Sequence, residues 1–191
     1  MAQARRAANP AHTGEEEYNW FLAALFPASQ LRILPYNRVV ADLNGGRPEA
    51  FLEEVGRRVT LTRAAGPAPA APRQASLYLG GAWYGLGWDV PAGADPVAAL
   101  DVSVLQDRVL APVLGIGDPR TDSRIAFVGG IRGTGELAAR VDSGRAAVAF
   151  SMYPVSVDQV MAIADAGSIM PPKSTWFEPK LLSGLLVHDL V

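Results

Sequence analysis

The sequence predicts an α+β fold: a mixed β-sheet with flanking helices and a βαβ-like C-terminal portion. Three observations lead there. From Arg124 onward, short apolar runs alternate with helical stripes, the pattern of βαβ units. The first half instead carries consecutive apolar runs and a glycine-turned aromatic hairpin, which read as antiparallel pairs. The 191 residues are 49% hydrophobic, enough for a genuine core.

In chain order, the first dozen residues are small and basic, a helix tail running into the acidic loop TGEEE. The apolar runs FLAALFP (21–27) and LRILPYNRVV (31–40) are separated by Ala28, Ser29 and Gln30 and predict two antiparallel strands. A turn signal follows, then Pro48 near a first helical position and Phe51, Leu52 and Val55 at helical spacing. Residues 64–73, AAGPAPAAPR, form a loop, because proline lacks the donor that helix and strand ladders need. SLYLGGAWYGLGWDV reads as a hairpin turning at Gly80 and Gly81, with its aromatics in the core. Val102, Leu105, Val109 and Leu110 then make a helical stripe that Pro112 ends or kinks.

Beyond Arg124 come a strand (RIAFV), a glycine loop (GGIRGTG), a helix (ELAARV), a strand (AAVAFSMYP) and a helix (SVDQVMAIADAG). Ser156 caps the last helix and Gly167 closes it in the left-handed conformation. WFEPKLLSGLLVHDLV has strand character. GSIMPPKST, residues 167–175, misses a phosphate-cradling G-x-x-x-x-G-K-[ST] loop at one position, Pro172. Such a loop needs a strand before it and a helix after it, and here that order is inverted, so it is not a P-loop.

Composition excludes several functions. With a net charge of -2, a pI near 5.7 and 17 Lys and Arg spread along the chain, no block of positive charge faces a run of phosphates, so nucleic acid is not expected as a partner. The absence of cysteine excludes disulfides and thiolate chemistry. No apolar stretch approaches the roughly 18 residues of a membrane span, and the N-terminus lacks a signal-like apolar segment, so a cytoplasmic protein without membrane partners is expected. His12 and His188 are the only histidines, and no metal site is predicted.

Several residues are candidates for binding a small anionic metabolite or amino acid. Asn37 and Arg38 interrupt an apolar run, and arginine suits bidentate recognition of phosphate or carboxylate; an edge strand with a structural salt bridge accounts for them equally well. Arg132 stands in a glycine loop before a helix N-terminus, an anion site or a tight turn capped by Thr134. Asp101, Ser103 and Gln106 present a carboxylate and two neutral polar groups, though a helix N-terminus also explains Asp101. In DPRTDSR, Asp118, Arg120, Asp122 and Arg124 pair among themselves. Lys173, Ser174 and Thr175 follow two prolines, so a cation and two hydroxyls are displayed on a stiff loop facing Arg132 or Arg38; a purely structural loop is the alternative.

The strings YNWFLAALFPASQLRILPYNRVVADLNG, LDVSVLQDRVLAPVLGI, IAFVGGIRG and IMPPKSTWFEPK together resemble the domain-of-unknown-function 1015 family, from about Arg5 to Leu190. Members of that family have an Asp-Gly-His-His-Arg stretch in their first half, similar to that of ParB-like free serine kinases. The present sequence lacks it, so the resemblance implies a single C-terminal family domain without the N-terminal half. It further implies a serine kinase-like phosphotransferase using ATP or ADP with magnesium when joined to that half. The chain alone, with no cofactor of its own, is then expected to be inactive. The alternative is a non-catalytic module that binds an anionic metabolite. Catalytic residues and oligomeric state are not readable from the sequence.

Overall fold

The computed structural model describes residues 1–63 and 65–189. The chain divides into two compact units, Met1–Arg32 with Pro179–Val191, and Ile33–Glu178.

The first unit begins with α1 (Ala2–Ala8) and continues irregularly apart from two single turns of 3-10 helix. Glu16 organises the loop after α1. Its carboxylate accepts amide hydrogens from Thr13 and Gly14 and lies 2.8 Å from His12. Those bonds, the Thr13 amide first, hold its pKa down at about 2. The strand expected over 21–27 does not form, and Phe21, Leu22 and Leu25 are exposed. Apolar content cannot make a strand without a neighbouring ladder to pair with. Strand character after Trp176 is likewise realised only over Thr175–Glu178.

The second unit holds a seven-stranded sheet. Its strands are β1 (Arg32–Val40), β2 (Thr60–Arg63), β3 (Gln74–Leu79), β4 (Ala82–Gly87), β5 (Ile125–Gly129), β6 (Val148–Met152) and β7 (Thr175–Glu178). The order is β2-β4-β3-β6-β1-β5, with β7 also paired to β1. The β3–β4 hairpin turns at Gly80 and Gly81, both at positive φ, as a two-residue connection requires. β1 is antiparallel to both β5 and β6, with Arg38 opposite Phe127 on one side and Phe150 on the other. β5 and β6 therefore run parallel with β1 between them. The expected βαβ order is present, but as a split β-α-β unit whose parallel strands do not touch.

Both faces of the sheet are covered, which is why Val39 and Val40, adjacent residues pointing to opposite faces, are both buried. On one face, Leu137 of α4 (Gly133–Asp142) packs with Val39, Val128 and Ala149. The larger core on the other face gathers Val40 and Phe150 with Phe51 and Val55 of α2 (Pro48–Gly56), the buried side of α3 (Asp101–Leu105), and Ile163 of α5 (Val157–Asp165). α5 starts with the expected Ser156 cap, closed into a capping box by Gln159, and Gly167 follows its end at positive φ. α4, by contrast, starts at Gly133 without a side-chain cap, so Thr134 lies inside its first turn. α3 widens into a π-helical turn, Gln106–Leu110, just before Pro112. The turn and bend segment over 65–73 is non-helical, with Ala65 close to the bare backbone of Gly85; residue 64 of the expected loop lies outside the described residues. Among the described residues, no helix is long and apolar enough to cross a membrane.

Asp101 fixes where α3 begins. Its carboxylate accepts the Arg73 amide at 3.0 Å and the Trp88 indole hydrogen at 3.1 Å, tying the helix to both ends of the β3–β4 region. Burial raises its pKa against these bonds. Asp101→Ala strands two donors and is expected to cost roughly 2–4 kcal/mol in chemical denaturation. Asp101→Asn keeps an acceptor and should cost less. The raised folded pKa means the native state binds the proton more tightly than the unfolded chain, so between the ordinary carboxylate value and the raised one stability rises as pH falls. That slope is expected to vanish in Asp101→Asn.

Candidate functional site

The alternation along β1 puts Tyr36, Arg38 and Val40 on the face of the larger core and Asn37 and Val39 on the other. Arg38 is only 4% exposed. It donates to the carbonyl of Tyr36, reaches that of Lys173 at 3.5 Å, and lies 5.5 Å from the centre of the Phe127 ring. No carboxylate pairs with it among the described residues. Burial pushes its pKa down to about 10. A buried guanidinium held by two carbonyls and a ring face has most of its donors and all of its charge available.

That guanidinium borders a cavity of about 350 Å³. Phe127 and the prolines Pro171 and Pro172 form part of its wall, and Ser103, Gln106 and Asp107 another part. Gln106 donates its amide nitrogen to the carbonyls of Ile116 and Gly117, while its Oε1, shut off from solvent, has no partner. A wider depression of about 500 Å³ beside Arg57 and Arg58 is less apt, because both arginines already pair with Glu53 and Glu54.

The loop before β7 brings Lys173 to Arg38 through its backbone. Lys173 sits at φ 56°, a left-handed conformation unusual for a residue with a side chain, and its Nζ lies 5.5 Å from the centre of the Tyr36 ring. Trp176 stacks edge-on to Tyr36 at 5.3 Å and lies against Gly129, where an added Cβ would come within 2.5 Å of the indole. Ser174 is buried and donates to the carbonyl of Pro171, and Thr175 opens β7 half-buried. Asn37 is spent on the sheet, its Oδ1 accepting the Met152 amide where β6 leaves β1. Arg132, in the 3-10 turn before α4, is exposed and does not line the Arg38 cavity; its charge acts on Glu136 of that helix. The arginines of DPRTDSR pair locally, Arg120 with Asp118 and Arg124 with Asp122, each at 2.8 Å. Of the polar trio on α3, Asp101 is turned toward Trp88 and Arg73 while Ser103 and Gln106 line the cavity. Asp107 escaped the sequence reading, although its four-residue spacing from Ser103 puts the two on one helical face.

A family model described as "Protein of unknown function (DUF1015)" matches residues 1–103, more than half of the chain. The chain belongs to this domain-of-unknown-function 1015 family. The match includes β1 and the first residues of α3, and the cavity residues from Gln106 onward lie outside it. No curated protein matches the chain. Similar solved structures include a free serine kinase in complex with AMP, 11% identical with a TM-score of 0.47, and a conserved hypothetical protein from Pyrococcus furiosus, 15% identical with a TM-score of 0.47. A mutant free serine kinase in complex with ADP is 14% identical with a TM-score of 0.43. These matches cover 78% of this chain and 54%, 56% and 54% of the other chains respectively, so the chain spans about half the length of the structures it resembles.

Two outcomes are expected. Replacing a buried charge by an apolar side chain of similar length is often neutral for stability. Arg38→Met is therefore expected to stay folded, while phosphate or a small carboxylate raises the Tm of the unaltered protein and leaves that of the variant unmoved. Second, Lys173→Gly relieves the left-handed strain and should stabilise the protein by about 1 kcal/mol. Lys173→Ala keeps the strain and should not.

Proposed function

We propose that this chain is the C-terminal half of a small-molecule phosphotransferase acting on serine or a similar small amino acid, in which it supplies the receptor for the substrate's anionic group. The single observation that carries the reading is Arg38, a buried cation bordering a cavity and paired with no carboxylate among the described residues. A cation left unpaired in low dielectric is costly, and an anionic ligand is what offsets the cost. Lys173, whose carbonyl Arg38 reaches, carries a second positive group over the Tyr36 ring, on a loop that loses little entropy when a ligand binds. Ser174 holds that loop in shape through its bond to the Pro171 carbonyl, and Thr175 leads from it into β7.

In the proposed reaction, the serine hydroxyl oxygen attacks the terminal phosphorus of ATP or ADP. The bond to the bridging oxygen breaks, and the hydroxyl proton passes to a base in the half bearing the Asp-Gly-His-His-Arg stretch. Arg38 orients the substrate throughout and is not itself a proton carrier, since even its lowered pKa keeps it charged near neutrality. Magnesium would enter with the nucleotide. Among the described residues, no group of three or more His, Asp or Glu is placed to hold a metal, so no step is assigned to one here. The location of such a protein is proposed to be the cytoplasm.

The same buried arginine supports a second reading, a non-catalytic module that binds an anionic metabolite. A coupled assay for nucleotide consumption separates the two. The chain alone is expected to show binding without turnover, and the chain joined to a family N-terminal half to show turnover that drops at least 100-fold in Arg38→Met. Turnover by the chain alone would place the chemistry in this half. Undiminished binding without turnover in the joined protein would favour the module.

A further inference from the structure

We propose that Asp107 is the residue by which the Arg38 cavity selects ligands bearing a positive charge beside their anionic group, so that an amino acid is preferred over the hydroxy acid of the same shape. This rests on Arg38 as the anion receptor and adds the other side of the same cavity.

The cavity is electrostatically two-sided. On β1 stands a buried cation that has only donors to offer. On the α3 and π-helical segment stand Ser103, Gln106 and Asp107, and this side is rich in acceptors. The Asp107 carboxylate is exposed and has neither hydrogen bond nor ion pair among the described residues. The cations nearest in sequence and along the cavity rim are engaged elsewhere. Arg108 donates to the Asp89 carbonyl, and Arg120, next to the lining residue Pro119, pairs with Asp118. The other lining carboxylate, Asp95, is spent on the Val97 and Ala98 amides. Asp107 is thus the carboxylate of this cavity left without a partner.

Gln106, the preceding residue, is pinned by its Nε2 to the Ile116 and Gly117 carbonyls, which fixes the wall on which Asp107 stands. A molecule with a carboxylate or phosphate for Arg38 and an ammonium group for Asp107 compensates both charges at once. A hydroxy acid compensates Arg38 alone and leaves Asp107 unpaired against a nearby ligand that is net negative. Recognition then comes from two charges of opposite sign held on different elements.

Calorimetric titration of the full chain with L-serine and with glycerate tests this, with circular dichroism confirming that each variant is folded. The unaltered protein is expected to bind serine at least tenfold more tightly than glycerate. In Asp107→Asn that preference should fall to within about twofold, with glycerate affinity equal or improved, and Asp107→Lys should reverse it. An unchanged serine-to-glycerate ratio in Asp107→Asn, or equal loss of both ligands, overturns the role of Asp107; if binding is still lost in Arg38→Met, the anion receptor stands. If neither ligand binds, or if Arg38→Met binds both as well as the unaltered protein, the anion receptor falls and the selection by Asp107 falls with it.

Discussion

A buried guanidinium without a carboxylate is the constraint around which this fold is arranged. Arg38 occupies the central stretch of β1, between Phe127 on one neighbour and Phe150 on the other, a place where an aliphatic residue would be expected. What tolerates it there is specific: a ring face, two backbone carbonyls, and an adjoining cavity that admits a ligand or water. The Lys173 carbonyl is one of those two partners. The same arginine therefore tethers the loop before β7 while keeping donors that no described residue takes up.

β1 is also the topological hub. Strands from three later parts of the sequence, β5, β6 and β7, all pair with it. Because β5 and β6 flank it in the same direction, α4 crosses over β1, and the larger core with Arg38 at its border lies on the opposite face. The cavity forms where β1, the α3 segment and the proline loop converge. No two of these are near each other in the chain, and each supplies a different kind of group: donors from β1, acceptors from α3, stiff apolar walls from the prolines.

α3 separates a structural role from the lining of the cavity within a few residues. Asp101 satisfies donors of Trp88 and Arg73 and so sets the start of the helix. Two residues on, Ser103 faces the cavity, and the wider turn before Pro112 carries Gln106 and Asp107 to the same wall. π-helical turns recur at functional sites because the extra residue re-aims side chains that a regular helix would space differently.

Local physics made much of this chain legible in its sequence. The Gly80–Gly81 turn, the capped helix from Ser156, the Pro48-led apolar stripe of α2 and the α+β alternation all follow from backbone preferences and periodicity within a few residues. The sequence also marks Arg38 as a charge inside an apolar strand, which demands compensation wherever it is buried. Long-range pairing was not legible. Residues 21–27 have the composition of a strand yet no ladder to join, and β5 and β6 are separated by β1 because register is chosen by the whole sheet. Nor could the sequence say that Asn37 would be spent on Met152, that Arg132 would not line the cavity bordered by Arg38, or that Asp107 would line it. The sequence by itself determined which chemical groups are present and which segments are stiff; the tertiary structure alone decided which of them meet, because a burial environment and a missing counter-charge exist only once distant segments have packed together.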